Sequence, residues 1–265
     1  MMSKCPFVQK SKEMVLYCYS PDNPENGVYR NIEGLGEVID PIYLGHAKCY
    51  REVNNIECPY NFDLNNKKHY GPNAPIFCER IWIDPMTDMY KSSKRVNFNM
   101  TAEELRRIAP GRVIEDHWPS KLGMFFINSN KYKYCRQRYV EDFNWEETIE
   151  YKQFLERARR KNKNLSDETI RNIIAKRYQQ LDDLFSRVKN DRKLLTREEL
   201  GGDDFREENG ILIHLGPNEE IIVCDGFHRL SIARILELNK VPALLGFTQV
   251  KALGFLNTLR GNKKN

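Results

Sequence analysis

The pattern of hydrophobic and polar positions is clearest toward the end of the chain. Ile211 to Leu215 and Glu220 to Cys224 are two β-rich runs joined by the turn-forming Gly216-Pro217-Asn218-Glu219, which predicts an antiparallel hairpin. Asp225-Gly226 then turns into a helix whose apolar positions are Leu230, Ile232, Ala233, Ile235 and Leu236. After Asn239-Lys240, Val241 to Leu245 reads as a further strand, and Pro242 suits a strand beginning or a sheet edge. Upstream, a helix starting at Ser166 carries Ile170, Ile173, Ile174, Tyr178, Leu181, Leu184, Phe185 and Val188 at three- and four-residue spacing. That spacing predicts one continuous buried stripe. Asn144 is an N-cap for a helix over Trp145 to about Arg160, with Glu146 and Glu147 placed to favour its positive end. Thr101-Ala102-Glu103-Glu104 has the capping-box form, so a short helix is expected to reach about Ala109 before Pro110-Gly111. Arg80 to Asp84 alternates like a half-buried strand that stops at Pro85.

Residues 1–79 are rich in Asn, Pro, Gly and Tyr and show short strand candidates such as Met14 to Cys18 without a sustained helical period. The expected fold class is therefore α+β: a small mixed sheet with packed helices over 80–250, a helical insertion at 140–200, an irregular β-rich N-terminal region at 1–79, and a C-terminal tail at 251–265.

The 40% hydrophobic and 30% charged residues are the balance of a globular protein. With no apolar run long enough to span a bilayer and no apolar stretch in Met1 to Lys12, a cytoplasmic location is expected and a membrane partner is not. The net charge of +5 permits anionic partners without requiring them. Seven cysteines, odd in number and lacking a C-x-x-C pair, read as reduced thiols. His46, Cys49, Cys58, His69 and Cys78 are chemically able to hold zinc, but structural zinc sites use closely spaced ligand pairs, so no metal site is assigned.

The chemistry concentrates at Asp225-Gly226-Phe227-His228-Arg229. A helix opening here exposes N–H groups and the positive end of the helix dipole, which suits a phosphate. Gly226 lets an anion approach the backbone, and His228 and Arg229 add donors, Arg229 to two oxygens at once. Asp225 has three candidate roles: capping the helix, orienting Arg229, or binding the Mg2+ that accompanies a nucleotide.

This stretch resembles the ParB/sulfiredoxin superfamily in its order of elements: the helix at Leu181 to Lys189, the strands Ile211 to Leu215 and Ile221 to Cys224, the G-x-x-R-x-x-A helix Gly226 to Ala233, and the closing Val241-Pro242 strand. Ile83-Asp84-Pro85, Gly111-Arg112-Val113 with Asp116 and Trp118, and Trp145-Glu146-Glu147-Thr148 resemble features of ParB-like proteins with a D-G-x-H-R-L loop. The resemblance implies a nucleotide at the loop: CTP in the chromosome-partitioning branch, ATP or ADP in the free serine kinase branch, whose D-G-H-H-R loop is the nearest match. Phe227 stands where sulfiredoxins carry their nucleophilic cysteine, and Cys224 reads as a small buried hydrophobe, so sulfinic acid reduction is not expected.

The leading expectation is phosphotransfer from a nucleotide to a small hydroxylated metabolite. Asp225, Gly226, Phe227, His228 and Arg229 would hold the nucleotide, and Glu115, Asp116 and His117, in a polar loop at a predicted strand end near Trp118, are with His228 the catalytic candidates, since such a reaction needs a group near the acceptor hydroxyl. Asp203 and Asp204 are a weaker carboxylate pair. The alternative is a non-catalytic nucleotide-sensing or nucleic-acid-binding module using basic stretches at Arg157 to Lys163 and Arg260 to Lys264.

Overall fold

A computed structural model describes residues 62–261 except 77, 94–95, 102–103, 107–108, 116–117, 119–121, 162, 197 and 201–209, with the backbone of four short strands before them. Those strands form two hairpins, β1 (Val8–Lys10) with β2 (Leu16–Cys18) and β3 (Val28–Ile32) with β4 (Gly36–Asp40). A helix, α1 (Phe62–Tyr70), follows in a region where the sequence shows no helical period. Its buried Asn66 amide donates to the Pro75 and Gly111 carbonyls, tying it to the main domain.

The main domain is α+β, built on a six-stranded mixed sheet. Its strands are β5 (Arg80–Ile83), β6 (Met89–Lys91), β7 (Val113–Ile114), β8 (Ile211–Leu215), β9 (Ile221–Asp225) and β10 (Val241–Gln249). The order is β5-β10-β8-β9-β6, with β7 also pairing β10. The expected hairpin is β8 with β9, antiparallel. β10 is longer than its sequence pattern predicts and is central rather than at an edge, running antiparallel to β5 and parallel to β8. Pro242 is tolerated because pairing with β8 begins only at Ala243, so its missing N–H removes no bond on that side.

Both faces of the sheet are covered, so its strands are apolar on both sides. Ile211, Ile213 and Leu215 join Ile221, Val223, Val241, Ala243 and Leu245 in one core, against α5 (Phe227–Ile235) and α6 (Leu253–Gly261). Leu212, Ile222, Cys224, Leu244 and Phe247 face the other core, covered by Val96, Met100, Leu105 and Ala109. The latter segment carries the expected capping box: Thr101 N–H donates to Glu104 Oε2 at 2.8 Å and Glu104 N–H to Thr101 Oγ1 at 3.2 Å. Residues 251–265 are not a tail throughout. Leu256 and Leu259 of α6 are buried, and Arg260 pairs with the buried Glu79 at 2.6 Å.

The insertion has a third, aromatic core. This core is shared by α2 (Asn130–Tyr139), which precedes the insertion expected at 140–200, and by α3 (Tyr151–Lys161) and α4 (Asp167–Asp191) within it. The helix expected from Trp145 begins instead at Tyr151, because Trp145–Glu147 forms a single tight turn and Thr148 is extended. That turn seats the Trp145 ring flat on Tyr178 at 4.4 Å, and its indole N–H donates to Asp182 at 3.1 Å. α4 starts where expected, and Ser166 caps it, its Oγ accepting from Thr169 N–H. The apolar stripe of α4 is not continuous, however: Ile170, Ile174, Tyr178 and Val188 are buried, while Ile173 is 53% exposed.

At the centre of β8, His214 is fully buried. Its Nδ1 accepts from Phe247 N–H at 3.1 Å, and its Nε2 has no partner. Burial pushes its pKa down to about 3. The unfolded imidazole takes up a proton near pH 6.5 and the folded one resists to about 3, so the unfolded chain binds more protons between these values. Stability attributable to His214 is therefore full above pH 6.5 and lost as pH falls. In urea titrations, the unfolding midpoint is expected to drop between pH 6.5 and pH 4 and to drop less in His214→Asn, whose amide oxygen can still accept from Phe247. Parallel curves for the two proteins would contradict this.

Candidate functional site

β9 ends at Asp225 and α5 begins at Phe227, so one residue has to reverse the chain. Gly226 does so in the left-handed region at φ 77°. A Cβ there would lie 2.6 Å from the Gly210 carbonyl oxygen and 2.6 Å from Ile211 Cα. Glycine is thus required by the close packing of the turn against the start of β8, a different reason from the expected approach of an anion. No side chain caps the first turn of α5. This helix start opens on a cavity of about 450 Å³ lined by Asp225 to Arg229 from the turn, Lys131 from α2, and Arg177, Gln180, Leu181, Leu184 and Arg187 from α4.

The charges around it are one-sided. Lys131, Arg177, Arg187 and Arg229 line the cavity against one carboxylate, Asp225. That carboxylate is engaged: Arg106 donates to Oδ2 through Nε at 3.0 Å and Nη2 at 2.8 Å, and Gly226 N–H donates to Oδ1. Arg106 Nη2 also reaches the Gly210 carbonyl at 2.6 Å, so one guanidinium fastens β9 to the start of β8. Asp225 does not cap α5; it pairs with Arg106 instead. Burial depresses the pKa of Lys131, with Arg177 and Lys91 acting in the same direction and Glu150 and Asp225 against it.

His228 Nε2 meets the Tyr134 hydroxyl. Burial holds the phenol well above its ordinary pKa, so it keeps its proton and serves as the donor, leaving the His228 proton on Nδ1. Burial, with Lys131 and Arg177, pushes the His228 pKa down to about 3. A neutral imidazole of low basicity with N–H on Nδ1 suits donation to an anion better than proton abstraction. Phe227 is mostly core, stacked on Phe126 at 6.1 Å, with the Lys131 ammonium 5.3 Å from its ring centre.

Glu115 is not brought to this site. It follows β7, whose Ile114 pairs with Gln249 at the far end of β10, whereas Asp225 pairs with Leu212 of β8, which faces Leu244. Five residues of extended strand separate those levels, about 17 Å. Glu115 instead accepts from the Tyr70 hydroxyl at 2.8 Å, and burial together with this carboxylate raises the Tyr70 pKa to about 12. Asp116 and His117, like Asp203 and Asp204, lie outside the described residues.

Cys224 is buried and its thiol donates to the Ile222 carbonyl, with burial raising its pKa, which suits a packing role. Of the residues weighed for zinc, His69 is exposed on α1 and Cys78 partly buried, while His46, Cys49 and Cys58 lie outside the described residues. Among the described residues, no cluster of three or more His, Cys, Asp or Glu side chains is placed to hold a metal. The described donors do not fit a protein-held Mg2+, which needs oxygen ligands, because the one lining carboxylate is taken by Arg106.

The residues missed from sequence are Lys131, Tyr134, Arg177, Arg187 and Arg106, all brought in from elements distant in the chain. Arg177 and Arg187 had a readable signal: with Gln180, Leu181 and Leu184 they share one face of α4. No protein family model, no curated protein and no solved structure matches this chain.

Replacing Gly226 by Ala forces a side chain into both the left-handed backbone and the Gly210 carbonyl. An unfolding free energy lower by roughly 1–3 kcal/mol is expected. Equilibrium urea unfolding measures it, and an unchanged midpoint would mean the turn does not constrain β8.

Proposed function

We propose that this protein is a nucleotide-binding member of the ParB/sulfiredoxin superfamily, holding the phosphates of ATP, ADP or CTP at Gly226 to Arg229. The observation that carries this reading is the uncapped start of α5 opening directly into a cavity walled by Lys131, Arg177, Arg187 and Arg229. Backbone N–H groups, the helix dipole and guanidinium forks all favour phosphate oxygens there. The order of hairpin, glycine turn, α5 and the Val241-Pro242 strand supports the family assignment.

In the bound state, Arg229 grips phosphate oxygens and His228 donates through Nδ1. A bound polyanion offsets the repulsion that Lys131, Arg177 and Arg229 exert on imidazolium, so the His228 pKa rises from its low value without overcoming burial. Phosphotransfer to a small hydroxylated metabolite is the reaction this reading carries, with the acceptor oxygen bonding to phosphorus and its proton passing to solvent as the bond to the leaving nucleotide oxygen breaks and the cations stabilise the developing charge. The acceptor side has no described carboxylate beside the cavity other than the paired Asp225.

That last observation favours a second reading, in which the nucleotide is bound and sensed without turnover. Nucleic-acid binding draws less support. Arg157, Arg159 and Arg160 of the basic stretch pair with Glu150, Asp167 and Glu156, and Arg260 pairs with Glu79.

A thermal-shift screen of ATP, ADP and CTP tests binding, because a ligand held only by the folded state raises the melting temperature by mass action. At least one nucleotide is expected to stabilise the wild-type protein, and Arg229→Ala is expected to weaken it about tenfold or more. Absence of a shift with every nucleotide would overturn the proposal. Nucleotide consumption with an acceptor panel then separates the phosphotransferase from the sensor.

A further inference from the structure

The cavity in front of α5 holds one amine among its guanidinium groups. Lys131 lies in the first turn of α2, and Tyr134, three residues on, shares its face of that helix. Both reach the first turn of α5: the Tyr134 hydroxyl meets His228 Nε2, and the Lys131 ammonium lies 5.3 Å from the centre of the Phe227 ring. Phe227 is the first residue of α5, so the amine stands beside the helix start, lining the cavity with Arg229.

Its surroundings differ from those of a solvated lysine. The side chain is partly buried, and among the described residues no carboxylate takes a hydrogen bond or an ion pair from it. Glu150 and Asp225 are near enough to favour the charged form, but Glu150 is paired with Arg157 at 2.7 Å and Asp225 with Arg106 at 2.8 Å. The face of the Phe227 ring favours the ammonium too. Burial acts the other way and is the largest effect, and it is joined by Arg177 and by Lys91, whose own ammonium lies 5.9 Å from the same ring. The sum favours the free amine. A lysine that is desolvated and set beside other cations is the arrangement that makes this side chain a nucleophile near neutral pH.

We propose that Lys131 is a covalent site for phosphorylated aldehydes, its Nζ condensing to an imine with a carbonyl carbon whose phosphate is seated at the start of α5. The choice of ligand rests on the phosphate-binding reading of the loop, whereas the nucleophile does not. The Nζ lone pair bonds to the carbonyl carbon, and the carbonyl oxygen then leaves as water with both amine hydrogens. A C=N bond replaces C=O, with no oxidant or reductant consumed. The seated phosphate holds the aldehyde against the amine, which turns an encounter in solution into a reaction between neighbours. At about 450 Å³ the cavity falls within the size range of small-ligand sites. The adduct fills the nucleotide seat, so phosphorylated aldehyde and nucleotide exclude each other.

Pyridoxal 5′-phosphate and pyridoxal present the same aldehyde with and without a phosphate, so together they test the two parts separately. The full chain is incubated with each near neutral pH, the imines are reduced with borohydride, and the labelled lysines are located by peptide mass spectrometry. Lys133, exposed on the same helix, corrects for the different intrinsic reactivity of the two aldehydes. With pyridoxal 5′-phosphate, Lys131 is expected to carry about tenfold more label than Lys133, the factor that one charge-assisted phosphate contact supplies. With pyridoxal, the ratio is expected to be lower but still above one. Arg229→Ala is expected to bring the ratio for the phosphorylated form down to that for pyridoxal, with circular dichroism checking the fold. Lys131→Arg keeps the charge and is expected to remove the dominant label while sparing Lys133. Label at Lys131 no greater than at Lys133 with both aldehydes would overturn the inference and leave phosphate binding standing. Equal ratios for the two aldehydes, both above one, would overturn the choice of ligand and with it the phosphate reading of the loop, leaving only the reactive amine.

Discussion

The reversal at Gly226 constrains everything around the cavity. A chain leaving the middle of a sheet has to turn within one residue to lay α5 across the face it has just left, and the turn lies against the Gly210 carbonyl with no room for a side chain. The Arg106–Asp225 contact fastens the same point from the other side, since the guanidinium holds both the last residue of β9 and the carbonyl preceding β8. The start of α5 is therefore fixed by the sheet. A dipole held this rigidly would need no reorganisation to receive the anion proposed for it, which is what makes preorganised donors effective.

Electrostatic balance divides the molecule into two regimes. On the surface of the insertion, arginines meet carboxylates in exposed pairs that contribute little to stability. Around the cavity, burial depresses the pKa values of Lys131 and His228, with neighbouring cations acting in the same direction. The aromatic core of the insertion, with Trp145 stacked on Tyr178 and Tyr139 on Phe185, holds the α4 wall in place.

Local signals were legible where local forces decide the outcome. The β8–β9 hairpin, the capping box at Thr101, the helix start at Ser166 and the Asp225-Gly226 turn were all readable, because each is settled by residues within four positions of one another. What escaped was long-range. The central position of β10 depends on partners far away in the chain, so of the two places Pro242 suits, a strand beginning or an edge, only the first applies. Leu181 and Leu184 look like core by spacing, yet line the cavity beside two arginines, since periodicity identifies a face and not what the face meets. Glu115 was placed near the loop by its type, while strand register puts it at the other end of the sheet.

Strand pairing also orders events in time. β5 finds its partner in β10, made roughly 160 residues later, and β6 waits for β9. During synthesis these early strands leave the ribosome with their hydrogen-bonding edges bare, long before the segments that will cover them. Such late closure slows folding and leaves a window for intermolecular pairing, so this chain is one whose yield in the cell should respond to chaperone supply and to growth temperature.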